Sequence, residues 1–257
     1  MDYTGFKKQV FDLTRIDLNA YKERQMKRRI DALISKNKFT GYDAYVSALK
    51  SDTKLFEEFV NYLTINVSEF YRNPDQWRNL EKEVYPYLIS QFGKSLKIWS
   101  AACSTGDEPY SLVMTLADFL PLNQIKIIAT DIDKQVLEKA RAGLYNQKSV
   151  SGLPKKYVDK YMTKIGANNY QVNDEVKARV EFKQHNLLKD SYPTGCDMIV
   201  CRNVVIYFTD DAKNEIYRKF NNSLKKGGIL FVGSTEQIIN YRDLNYDSIK
   251  SFFYKKL

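Results

Sequence analysis

The sequence predicts an α/β protein in two parts, an all-helical N-terminal domain followed by a Rossmann-like doubly wound sheet. Three observations carry this reading. Over about the first 90 residues, apolar side chains recur at helical spacing with almost no strand alternation. From position 97 onward, short apolar runs alternate with amphipathic stretches, the pattern of a parallel sheet with helices on both faces. The segment WSAACSTGDEPYS, positions 99–111, reads as a buried strand, a tight turn of small residues and a helix start. That order builds a ligand crevice at the carboxyl edge of a parallel sheet.

Taken in order, helices are expected at Tyr3–Thr14, Leu18–Lys36, Gly41–Lys50 and Thr53–Leu63, forming a domain over 1–75, with a linker helix over 76–94. The sheet domain, 95–257, opens with a strand at Lys97–Cys103, turns at Ser104, Thr105 and Gly106, and enters a helix through Asp107, Glu108 and Pro109. A second strand, Ile125–Ile132, carries Asp131 at its tip, where a doubly wound sheet accepts hydrogen bonds from ribose hydroxyls. Asp131 also suits a simple turn. An amphipathic helix, Lys134–Ala142, places Val136, Leu137 and Ala140 on one face. Further strands are expected at Val180–Asn186, Asp197–Asn203 and Gly228–Ser234, with a helix at Asp210–Leu224 and a closing strand at Ser251–Lys256.

The charge of the turn narrows its ligand. A phosphate cradle presents bare backbone N–H groups, often with a Lys, whereas this turn places two carboxylates, Asp107 and Glu108, at the mouth. An anionic pyrophosphate is disfavoured and a neutral or cationic ligand favoured. S-adenosylmethionine fits, with a sulfonium, an α-ammonium and no phosphate. Acidic residues and Pro in a first helical turn also cap a helix and complement its dipole, so the turn alone leaves both readings open.

Composition excludes several classes. No apolar run approaches a membrane span, and the N-terminal residues MDYTGFKKQ lack the apolar core of a signal peptide, so a soluble cytoplasmic protein without direct membrane insertion is expected. Cys103, Cys196 and Cys201 are odd in number and lack metal-ligand spacing; they read as buried thiols, and no metal is expected. His185 is the only histidine and has no nucleophile elbow beside it, which makes it a hydrogen-bonded residue at a strand end. The net charge of +9 concentrates in the second helix, where residues 18–38 hold seven cations against Glu23 and Asp31. Met26, Ile30, Leu33 and Ile34 form its apolar stripe, Arg24 and Arg28 lie opposite, and Lys27 and Arg29 flank it. A nucleic acid or an acidic protein helix would match this charge. No known nucleic-acid-binding motif accompanies it, and the aromatics are not interleaved with the basic run, so nucleic acid is not expected as partner.

Two further segments carry polar residues suited to a site. LTINVSEFYRNPDQW, positions 63–77, holds Asn66, Ser68 and Arg72 among aromatics, and CRNVVIYF, positions 201–208, puts Arg202, Asn203 and Tyr207 at the carboxyl end of a core strand. Together with WSAACSTGDEPYS, ATDID, HNLL and GSTEQ, they closely resemble the bacterial CheR family, chemotaxis receptor methyltransferases that esterify glutamate side chains using S-adenosylmethionine and release S-adenosylhomocysteine. The resemblance covers nearly the whole chain in order and spacing. It implies a class I methyltransferase sheet with a small antiparallel β-subdomain inserted over 145–179. By resemblance, Asn66, Ser68 and Arg72 reach over the cofactor, Glu108 meets its ammonium, Asp131 takes the ribose hydroxyls, Asn186 and Leu187 line the adenine, and Arg202 and Asn203 complete the cofactor site. Arg72 and Tyr207 would be the catalytic pair facing the incoming glutamate. Arg24, Lys27, Arg28 and Arg29 would dock acidic cytoplasmic helices of the receptors. Ser68 stands where other members have Thr, and Asp107 where others have Glu; both keep the polar group. A nucleic-acid methyltransferase and a catalytically silent cofactor sensor are the rival readings.

Overall fold

A computed structural model describes all 257 residues. They form two compact units, one of Met1–Asn66 with Val205–Asn214, the other of Val67–Val204 with Glu215–Leu257. No helix is long and apolar enough to cross a membrane.

The first unit is helical: α1 (Tyr3–Thr14), α2 (Glu23–Lys36), α3 (Tyr42–Ser51) and α4 (Thr53–Thr64). Asp2 caps α1 by accepting from the Gly5 amide at 2.8 Å, and Asp52 caps α4 through the amides of Lys54 and Leu55. The single helix expected over Leu18–Lys36 is broken. Asp17 accepts from the Asn19 amide at 3.0 Å and closes a short 3-10 turn, Leu18–Ala20, after which Tyr21 pairs with Phe208 as an antiparallel bridge. A side chain that bonds its own local backbone competes with helix continuation. The core of this unit includes Phe6, Val10, Met26, Ile30, Leu33, Tyr45 and Phe59, with Phe6 and Tyr45 edge-on to Phe59.

The second unit opens with α5 (Pro74–Asn79), which runs through a π-helical turn at Leu80–Val84 into α6 (Tyr85–Phe92). There follow β1 (Ile98–Ala101), α7 (Asp107–Leu116), β2 (Ile127–Asp131) and α8 (Lys134–Ala142). Next come β3 (Leu144–Asn146), α9 (Gln147–Val150), α10 (Lys155–Tyr161), β4 (Met162–Ile165), β5 (Asn169–Val172) and α11 (Asp174–Lys177). The chain finishes with β6 (Val180–Gln184), β7 (Cys196–Cys201), α12 (Asp210–Ser223), β8 (Leu224–Val232), β9 (Tyr246–Lys250) and β10 (Phe253–Lys256). The main sheet has the order β6-β2-β1-β7-β8-β10-β9, and β3-β5-β4 form the separate antiparallel sheet. β1 pairs in parallel with both β2 and β7, Ile98 lying opposite Ile127 on one side and Met198 on the other. The chain leaves β1 in one direction and returns on the other side, so β1 and β7 flank the switch point where such sheets open a crevice.

Two departures from the sequence reading have local causes. The closing strand is one arm of an antiparallel hairpin, β9 with β10, because the polar segment YDSIK becomes a strand only by pairing with its neighbour. β1 and β7 end earlier than expected, because Ala102 (φ 65°) and Asn203 (φ 62°) turn into the left-handed region just beyond them. In α7 every residue except Glu108 is buried. Such a helix is central to the core; its serine and threonine hydroxyls are satisfied by its own carbonyls, Ser111 on Asp107 at 2.7 Å and Thr115 on Ser111 at 2.8 Å, and Tyr110 donates to the Ala140 carbonyl of α8 at 2.8 Å.

Gly106 joins the turn to α7 at φ 91°, where a Cβ would lie 2.9 Å from the Ala140 Cβ and 3.2 Å from the Ala140 Cα. Gly106→Ala combines a left-handed penalty with a backbone clash and is expected to lower unfolding free energy by about 2 kcal/mol or more, read from urea midpoints.

Candidate active site

A cleft opens at the switch point. Its walls are the segment Val67–Arg72, the turn Ala102–Ser104 after β1, Glu108 of α7, and Arg202 with Asn203 after β7. The backbone is bent sharply around it: Tyr71, Asn73, Ala102, Ser104 and Asn203 all have positive φ. So many left-handed non-glycine residues in one place mark a functional site held by its surroundings.

Arg202 is the buried cation that joins these walls. Its side chain is 3% exposed. Nη2 donates to the Arg72 carbonyl oxygen at 2.6 Å and to Gln76 Oε1 at 2.8 Å, while Nη1 lies 3.5 Å from Glu108 Oε2. The guanidinium also sits 4.8 Å from the Phe231 ring centre. Burial pushes its pKa down and Glu108 pulls it back up. Glu108 accepts from Ser100 Oγ at 2.8 Å, and burial pushes its carboxyl up against the opposing pull of Arg202.

The two acidic residues read together in the sequence separate here. Asp107 is 1% exposed and turns under the turn, where Oδ2 accepts from Thr105 Oγ1 at 2.6 Å; burial raises its pKa. Only Glu108 reaches the cleft, since successive residues of a helix point about 100° apart. The mouth therefore holds one of the two expected carboxylates.

Asp131 ends β2 as expected, with Oδ2 accepting from the Ser104 amide at 2.8 Å and Oδ1 from the Asp133 amide at 3.0 Å. Burial raises its pKa to about 6. Ser68 and Arg72 line the cleft, and Arg72 Nη1 donates to the Val67 carbonyl at 3.3 Å. Asn186 and Leu187 lie outside this lining; Asn186 Oδ1 accepts from the Leu188 amide at 2.9 Å, a local turn. Asn66 and Tyr207 belong to the helical unit, where Asn66 Nδ2 donates to Thr64 Oγ1 at 2.8 Å and the Tyr207 carbonyl accepts from the Lys22 amide at 2.9 Å. His185 meets the Ser191 carbonyl at 3.2 Å, edge-on to Trp99, and burial lowers its pKa. Burial pushes the Cys103 thiol in the cleft wall well above its ordinary range, which disfavours the thiolate.

On α2 the basic residues also divide. Lys27 pairs with Asp31 at 2.7 Å, and Arg29 donates to the Tyr62 carbonyl at 2.8 Å and stacks over its ring. Arg24 and Arg28 stay exposed.

Two residues of the site escaped the sequence reading. Tyr145 of β3 donates to the Thr105 carbonyl at 2.6 Å and packs edge-on to Phe70 at 4.7 Å, so the inserted sheet supports both the turn and the Val67–Arg72 segment. Glu236, visible only as a letter in GSTEQ, accepts from the amides of Asn203 and Val204.

The comparisons with known proteins decide the family. The SAM binding domain of the CheR methyltransferases matches residues 66–251, and the all-alpha domain of the same family matches residues 1–64. The chain belongs to the CheR methyltransferase family. A chemotaxis protein methyltransferase of Listeria monocytogenes is 40% identical over 255 residues, covering 99% of this chain and 97% of the relative. Another from Borreliella burgdorferi is 32% identical over 97% of this chain and 92% of the relative. That of Escherichia coli is 37% identical over 77% of this chain and 70% of the relative. As a CheR methyltransferase the chain uses S-adenosylmethionine, and its cleft suits that molecule. Glu108 offers carboxylate oxygens with one short hydrogen bond between them, and the buried Ser104 Oγ makes none.

Tyr145→Phe removes one buried hydrogen bond and is expected to lower stability by about 1 kcal/mol. Arg202→Met leaves Glu108 without its counter-charge and is expected to lower stability by about 3 kcal/mol or more, with thermal melting as the check.

Proposed function

We propose that this CheR methyltransferase esterifies glutamate side chains of chemotaxis receptors. The observation that carries the proposal is the pairing of charges in one cleft: Glu108 in one wall and Arg72 in the other. A carboxylate suits the ammonium of the methyl donor, and a guanidinium suits an incoming carboxylate. The chemotaxis methyltransferase names of the relatives support receptors as the substrate class.

When bound, the cofactor supplies an electrophilic methyl group on a sulfonium. A glutamate carboxylate is already ionised near neutral pH, so no general base is required of the protein. The work left to the side chains is orientation, which is worth about 7 to 11 kcal/mol in well-placed intramolecular reactions. Glu108, Ser68, Arg202, Asn203 and Asp131 hold the cofactor, Asp131 from below Ser104 as acceptor for the ribose. Asn66, Asn186 and Leu187 complete that site in our proposal. Arg72 docks the glutamate carboxylate and Tyr207 donates a hydrogen bond to its second oxygen. A guanidinium that gripped the nucleophilic oxygen tightly would blunt it, so Arg72 acts by docking and orienting. The exposed Arg24 and Arg28 steer the acidic receptor helices, whereas Lys27 and Arg29 act mainly through the α2 face they brace.

Labelled cofactor incubated with receptor-containing membranes, followed by alkali release of methanol, tests the activity. Arg72→Ala is expected to lower ester formation about a hundredfold while leaving melting unchanged; undiminished transfer would contradict the docking role. Label appearing on RNA, with none released as methanol, would establish the rival substrate. Charge reversal at Arg24 and Arg28 is expected to raise the receptor KM, with the difference shrinking as salt increases and cofactor affinity unchanged.

The pKa of Asp131 sets a pH dependence. Ribose hydroxyls donate to the carboxylate, so the cofactor binds its ionised form, and affinity falls as pH drops through about 6. S-adenosylhomocysteine is expected to bind roughly tenfold more weakly at pH 5 than at pH 7 by calorimetry, and Asp131→Asn is expected to flatten that dependence.

A further inference from the structure

Glu236 is a buried carboxylate that the chemistry above does not use. It lies beyond β8, is 5% exposed, and receives the amides of Asn203 at 2.5 Å, Val204 at 2.8 Å and Gly233 at 2.8 Å. Burying an ionisable side chain is unfavourable unless its polar atoms are engaged. Here the engagement falls on the end of β7, where Asn203 holds φ 62° and lines the cleft. Asparagine enters that region more readily than other side chains but does not prefer it to the ordinary right-handed and extended ones, so it can relax once the amide contacts are released. The clamp is closed on the other side by Gly233. A Cβ there would lie 2.5 Å from Glu236 Oε2 and 2.9 Å from the Asn203 amide nitrogen.

We infer that Glu236 is a positioning residue for methyl transfer: by gripping the Asn203 and Val204 amides it fixes the Asn203 side chain against the bound methyl donor. This rests on the reading of the cleft as the donor site. Its carboxylate suits the task because both oxygens accept, Oε2 from two amides and Oε1 from one. A glutamine of the same size would turn an N–H₂ donor toward at least one of those N–H groups.

The test is a double-mutant cycle on S-adenosylhomocysteine affinity, by calorimetry on the full chain: wild type, Glu236→Gln, Asn203→Gly and the pair. Asn203→Gly removes the side chain and tolerates the positive φ. Each single change is expected to weaken binding tenfold or more, and adding Glu236→Gln to Asn203→Gly is expected to weaken it by less than twofold further. A purely structural glutamate would give losses that multiply, and that result, or wild-type affinity in Glu236→Gln, overturns the inference. Should Glu236→Gln not fold, Glu236→Asp, which keeps the charge but shortens the reach, takes its place with the same outcomes. Failure of the wild type to bind at all would overturn the reading of the cleft itself.

Discussion

The sheet unit is organised around one buried guanidinium. Arg202 follows β7 with its side chain only 3% exposed, and it holds the Arg72 carbonyl, Gln76 and Glu108 at once. The Arg72 and Glu108 contacts fix two walls of the cleft, and the Gln76 contact anchors the guanidinium to the helix behind it. A buried charge of this kind is destabilising alone and tolerable only when most of its donors are used, which makes the arrangement nearly all-or-none. The left-handed Tyr71 and Asn73 on either side of Arg72 fit this account, since Arg202 and the Trp77 indole N–H both donate to the carbonyl between them. The same pair sets the polarity of the cleft. Arg202 only partly offsets the burial of Glu108, so the wall retains an appetite for a further cation, in keeping with a cofactor that carries positive charge and no phosphate.

Support for the cleft comes from far along the chain. Tyr145, in the small antiparallel sheet, bonds the carbonyl of Thr105 while its ring meets Phe70. Phe70 is tied to the same inserted segment through its amide, which donates to the Ser149 carbonyl at 3.1 Å, and its own carbonyl would lie 2.8 Å from a Cβ on Gly152. The insertion is therefore a brace for the turn and for the Val67–Arg72 segment together. Close packing of this sort transmits small displacements, so changes in the inserted sheet and changes in the cleft are mechanically coupled.

Much of this was legible in the sequence because it is local. The strand, turn and helix around Ser104 are encoded by neighbouring residues, and the α2 stripe of Met26, Ile30, Leu33 and Ile34 is a periodicity that any helix must express. The unreadable parts depend on distance or on rotation. Nothing in GDEP says that Asp107 turns beneath the loop while Glu108 faces outward; the helix phase against the sheet decides it. Arg202 stands out in CRNVV, but its partner carbonyl lies 130 positions earlier. YDSIK carries too few apolar residues to read as a strand until β10 pairs with it. The basic run on α2 was plain, yet Lys27 and Arg29 find partners in Asp31 and Tyr62 that only the folded helices bring near.

In the proposed function Glu108, in the cleft wall beside Arg202, recognises the ammonium of the methyl donor. Calorimetry of S-adenosylhomocysteine against its analogue lacking the α-amino group, on the wild type and on Glu108→Gln, measures that contact directly. The wild type is expected to bind the analogue at least about tenfold more weakly, the scale of one charge-assisted hydrogen bond, and Glu108→Gln is expected no longer to distinguish the two. Equal affinity of the wild type for both ligands would contradict it.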